Sequence, residues 1–136
     1  MNILETDYWC LLLPPEWAVD RDGGAIRIFD QDEIGELSFT TLIRDQDITR
    51  QSEAFQLAKL QSPEVAIWTP VRIGEFEGVT GSFQEDNAVI REWYVSKALA
   101  LLYVTYICGF EDAGMDDIAV DRILSTLVSG DALNNG

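Results

Sequence analysis

Histidine does not occur in this chain of 136 residues, lysine occurs only at Lys59 and Lys97, and the two cysteines, Cys10 and Cys108, stand far apart. The missing imidazole excludes Ser-His-Asp and Cys-His catalysis. It also removes most zinc and non-haem iron sites, because two thiolates cannot complete a tetrahedral set. Both cysteines lie in apolar β-type runs and read as reduced, inert core thiols rather than a disulfide framework. Gly74, Gly78 and Gly81 have the wrong spacing for a phosphate cradle, and no Gly-Lys-Ser/Thr occurs. The longest apolar run, Ala98 to Cys108, falls well short of the ~20 residues of a spanning helix. The N-terminal Met-Asn-Ile-Leu-Glu-Thr-Asp lacks the basic region and apolar stretch of a secretory signal. These absences predict a cytoplasmic chain with no catalytic residues, no cofactor, no metal and no membrane partner.

What is present is acid. Asp and Glu number 24 against 9 Lys and Arg, a formal charge of −15. Such a surface repels phosphate backbones and anionic headgroups, so no nucleic-acid partner is expected. The charge serves solubility, or it forms an acidic face for a basic partner; both readings stay open. A hydrophobic fraction of 47% with 24% charged residues matches ordinary globular usage and argues for one folded domain. That domain is expected over residues 1–130, with 131–136 as a frayed tail.

Element order follows from periodicity and punctuation. Tyr8–Leu13 reads as a strand stopped by Pro14-Pro15, Trp17–Val19 as a short extended piece, and Asp20 to Gly24 as a turn. Ala25–Phe29 sets Ile26 and Ile28 against Ala25, Arg27 and Phe29; Leu37–Ile43 is a further strand. A helix over Arg50–Gln61 follows, with Asp47 or Thr49 as N-cap, Ile48 as staple and Ala54, Phe55, Leu57 and Ala58 as its stripe. Then come Ala66–Ile73, where Pro70 signals an edge or a bulge, and Phe76–Phe83, where Gly78 and Gly81 signal bulges or close packing. Val89–Val95 and Leu99–Cys108 are the strongest strands, the second apolar on both faces and therefore central. A last helix over Asp117–Ser129 carries Val120, Ile123, Leu124, Leu127 and Val128 on one stripe. Short turns between successive strands give an α+β fold, an antiparallel sheet meander flanked by helices.

Leu13-Pro14-Pro15-Glu16-Trp17, the late strand Leu102–Tyr106 and the closing helix segment Ile123–Leu127 resemble the PsbP-like superfamily, which includes the Ran-binding Mog proteins and small bacterial relatives. The resemblance implies an α/β/α sandwich around an antiparallel sheet. It also implies a protein that works by binding other proteins.

Candidate sites are few. Asp30, Asp32, Glu33 and Glu36 fail the calcium-loop pattern, with Ile34 at the fifth position and Thr41 at the twelfth; they read as a solvated turn. Glu111 and Asp112 read as loop acids, and Asp116 and Asp117 as a helix N-terminus. Trp68, Arg72, Arg91 and Trp93 are the candidate partner-binding residues, because tryptophan and arginine are enriched at interface hot spots. The competing reading places these rings in the core with arginines along its edge. The sequence therefore predicts a non-enzymatic interaction domain, an adaptor, escort or immunity-type protein, whose protein partner and oligomeric state it does not name. The alternative is a small-molecule carrier with an apolar pocket between sheet and helix.

Overall fold

The structure is a computed structural model that describes residues 2–32, 34–44 and 51–134. Its ten strands are β1 (Asn2–Glu5), β2 (Trp9–Leu13), β3 (Trp17–Asp22), β4 (Ala25–Asp30), β5 (Gly35–Ile43), β6 (Thr69–Ile73), β7 (Phe76–Glu85), β8 (Ala88–Lys97), β9 (Ala100–Gly109) and β10 (Val128–Ser129). The helices are α1 (Gln51–Gln61), α2 (Asp117–Ser125) and the single turn α3 (Asp131–Asn134). Two sheets form, ordered β1-β2-β10 and β3-β4-β5-β9-β8-β7-β6. Every pairing is antiparallel, and the expected α+β class is what the chain adopts.

The two-sided apolar pattern of β9 explains its place. Ala100, Leu102, Val104, Tyr106 and Cys108 enter the main core, while Leu101 and Tyr103 enter a smaller one on the opposite face. The main core lies between the large sheet and a cover made of the small sheet and α2. Trp9 stacks on Phe39 with ring centroids 4.6 Å apart, and its indole N–H donates to Thr41 Oγ1 at 2.9 Å. Val120, Ile123 and Leu124 of α2 close the same core. On the other face α1 lies over β7 and β8. Its two fully buried alanines, Ala54 and Ala58, bring it down onto Val79, Tyr94 and Leu101. Phe55 stays at the rim, with the Lys59 ammonium 4.6 Å above its ring.

Several expected boundaries shift. Before the first expected strand, β1 pairs with β2 through Ile3↔Leu12 and Leu4↔Leu11. Asp20 to Asp22 belong to β3, because the turn shrinks to Gly23-Gly24 with Gly23 at φ +60°. The strand expected over Ala66–Ile73 begins only at Thr69, and Pro70 sits on that edge strand, where its missing N–H costs no ladder bond. Gly78 and Gly81 mark close approach: the register of β7 on β8 runs unbroken, and a Cβ on Gly81 would lie 2.4 Å from Val65 Cγ1. The last helix stops at Ser125 instead of Ser129. The Thr126 hydroxyl donates to Ile123 O at 2.7 Å and accepts Leu12 N–H at 2.9 Å, which turns Val128–Ser129 into a strand on β2. Nor is the tail frayed through Asn134: α3 forms there, tied down by Ala132 N–H to Asp7 O at 2.8 Å. The expected caps Asp47 and Thr49 and the staple Ile48 lie outside the described residues.

Candidate functional site

Where α1 does not reach, the second face of the large sheet remains open. Along β4 and β5 that face presents Arg27, Phe29, Glu36 and Ser38, all half-buried. On β9 it presents Ile107, 44% exposed. The Phe29 and Ile107 rows meet at the Gly35 end of the sheet, where β5 pairs with β9 through Gly35↔Cys108 and Glu36↔Ile107. There a groove of about 550 Å³ is lined by Phe29, Ile34 and Ile107, with Asp20, Arg27 and Glu36 at one side. Arg27 bonds Asp20 Oδ2 at 2.5 Å and lies 3.6 Å from Glu36 Oε1.

The four residues singled out from sequence are not brought together. Trp93 is 2% exposed and belongs to the main core. Arg91 covers its ring at 4.7 Å and bonds Asp117 at 3.2 Å and Asp121 at 2.8 Å, fastening α2. Trp68 lies on the opposite face, edge-on to Tyr94 at 5.6 Å, half-buried beside α1. Arg72 is exposed on the edge strand and pairs with Glu77 at 2.9 Å. A single aromatic and arginine patch therefore does not form. The reason is register: Trp93 pairs with Val104 on the core face, and Arg72 pairs with Glu77 on the other.

Of the acidic turn, Asp30 ends β4 and Glu36 engages Arg27, while Glu33 lies outside the described residues. Among the described residues no cluster of three or more metal-ligating side chains occurs. Both cysteines are free. Cys108 is a core residue whose thiol pKa is pushed up, first by burial and then by Asp112, Asp117 and Asp116. Cys10 departs from expectation, since it is half-buried on the outer face of the small sheet, opposite Glu5 and Val128.

One buried acid escaped the sequence reading. Glu92, 3% exposed, takes the Tyr103 hydroxyl on Oε2, and its buried Oε1 has no protein partner. Tyr94 stacks against Tyr103 at 4.7 Å and shares a 2.9 Å hydrogen bond with Ser62. The alternation of β8 places Glu92 with Tyr94, but an acid between hydrophobic neighbours gives no sign in sequence of which side is covered. Burial, then the bond to Glu92, holds the Tyr103 phenol pKa above its ordinary value; burial and Asp116 do the same for Tyr106, and burial above all for Tyr94. A raised phenol pKa favours folding below the ordinary value near about 10, and that contribution is lost as pH climbs past it. Absorbance titration of the phenols is therefore expected to show most of the four tyrosines ionising only as the fold opens in alkali. Reversible ionisation of all of them together near pH ~10 is the contrary result.

No protein-family model and no curated protein matches the chain. Solved structures do. A protein from Bacteroides thetaiotaomicron VPI-5482 superposes with a TM-score of 0.65 at 14% identity, over 89% of this chain and 44% of that one. This chain thus spans less than half of that protein. The cyanobacterial PsbP (CyanoP) of Synechocystis sp. PCC 6803 superposes at 0.61, with 12% identity, over 94% of this chain and 91% of its own. The fold is PsbP-like. LpqN, involved in cell envelope biogenesis of Mycobacterium tuberculosis, shares the PsbP-like arrangement at a TM-score of 0.60 and 11% identity, over 90% of this chain and 83% of its own. At these identities the likeness concerns the fold alone. Among the described residues no helix is long and apolar enough to cross a membrane.

Proposed function

We propose that this chain is a non-enzymatic interaction domain that receives a protein partner on the open half of its large sheet. The observation that carries this reading is the groove at the Gly35 end, where Phe29, Ile34 and Ile107 face outward. An apolar floor on an otherwise acidic surface is costly to leave wet, and such exposed patches mark interaction sites. The absence of histidine and the mutual engagement of Asp20, Arg27 and Glu36 support a binding role over a catalytic one. A reducing, cytoplasmic setting suits two free thiols. The carrier reading draws less support, because Ala54, Ala58, Val79, Tyr94 and Leu101 fill the contact between α1 and the sheet. The test is a photocrosslinking side chain placed at Ile107 in the native host, expected to capture a discrete protein partner.

A further inference from the structure

We infer that the occupant of this groove is a cationic protein segment, one that lays an apolar side chain on Phe29, Ile34 and Ile107 and sets a neighbouring lysine or arginine against Glu36. The inference rests on the interaction reading above and adds the chemistry of the partner. Charge decides it. Among the groove's lining residues the cation is Arg27, and it is already engaged by Asp20 and Glu36. Both carboxylates keep close to half of their side-chain surface open to solvent, so each retains acceptor capacity for a donor arriving from outside. The chain that flanks the lining residues adds further acids: Asp32 after β4, Glu85 and Asp86 before Ala88, and Glu111 and Asp112 after Gly109.

Asp112 Oδ2 stands 3.7 Å from where a Cβ on the lining residue Gly109 would be. An acidic or phosphorylated segment entering there meets repulsion before it reaches the apolar floor. A cationic one is steered inward by the −15 of the whole chain. Elsewhere four described cations are committed to local acids: Arg44 to Glu53, Arg72 to Glu77, Arg91 to Asp117 and Asp121, and Lys97 to Glu75.

Selection of a phage-displayed random dodecapeptide library on the immobilised full chain tests this. Recovered peptides are expected to place lysine or arginine beside an apolar residue. They are expected to lose about tenfold or more in affinity on an Ile107→Asp variant that melts at the wild-type temperature. The substitution is chosen for its sign. A peptide held only by general attraction to an acidic protein binds the more acidic variant at least as well, and that outcome overturns the inference. Phe29→Ser, which leaves the charge unchanged, gives a second arm should Ile107→Asp disturb folding. Peptides without cationic enrichment that still depend on Ile107 would overturn the cationic assignment and leave the interaction reading standing. Failure to enrich any groove-dependent peptide would count against both, and a groove-dependent partner captured by the photocrosslink would then rescue the interaction reading alone. Displacement of selected peptides by spermidine at equal concentration would show that charge without an apolar contact suffices, and would also overturn it.

Discussion

Trp93→Ala is expected to lower the unfolding free energy by about 3–5 kcal/mol, the range for emptying a large aromatic site in a packed core. The Trp93 ring sits in the main core with Val95, Leu102 and Val104, and its outer surface is closed by Arg91 at 4.7 Å. Truncation leaves a cavity bounded by rigid strand backbone on β8 and β9, which cannot collapse to fill it. It also strips Arg91 of the ring it rests on, and so loosens the bonds to Asp117 and Asp121 that fasten α2. Chemical denaturation of the single variant checks the value. A loss below about 0.5 kcal/mol, the size of an ordinary surface change, would mean that Trp93 lies at the surface. An Arg91→Ala change should cost less, since the indole remains.

Gly74→Ala is expected to cost about 3 kcal/mol or more, combining a left-handed backbone penalty with overpacking. Gly74 turns between β6 and β7 at φ +58°, and a Cβ there would stand 1.9 Å from the carbonyl oxygen of Leu127. That carbonyl also accepts the Glu75 N–H at 2.9 Å. The Glu75 carboxylate in turn accepts Ser129 N–H at 2.8 Å and lies 3.4 Å from Lys97 Nζ. The hairpin tip is thus a clip on the segment that leads from α2 into β10. Neither the hairpin nor Leu127 can yield without breaking these bonds. Thermal melts of Gly74→Ala beside Gly23→Ala separate the two contributions, because Gly23 has a similar φ of +60° with nothing within 4 Å of its would-be Cβ. Equal losses in the two variants would show that the clip contributes nothing.

How much of this was legible beforehand follows from what each feature depends on. β9 and α2 announced themselves because their burial is written in consecutive side chains: Leu101 and Leu102 point to opposite cores, and Val120, Ile123 and Leu124 line one helix face. The small sheet did not, since β10 contributes two residues held by pairing with Trp9 and Cys10 rather than by any pattern of their own. The end of α2 depended on the Thr126 hydroxyl meeting Leu12, a contact across 114 positions. Alternation correctly set Arg91 with Trp93, and Arg27 with Phe29. It fixes only relative faces, so it did not tell that the first pair faces the core and the second faces solvent. Trp68 precedes β6 and packs beside α1 on the face that Arg72 shares, opposite Arg91 and Trp93, so the two pairs point apart. The groove needed two registers at once, because Phe29, Glu36 and Ile107 become neighbours only after β4 pairs with β5 and β5 with β9.

The interaction reading meets its most direct test in photocrosslinking yield from position 107 set beside position 128. Ile107 and Val128 have nearly equal exposure, 44% and 42%, but Ile107 lines the groove on the large sheet while Val128 lies on the small one. The account predicts a discrete protein adduct from position 107 that is absent from position 128 and disappears when Phe29→Ser is added. Equal capture from both positions, or none from position 107 in cells that express the chain at its native level, would contradict it.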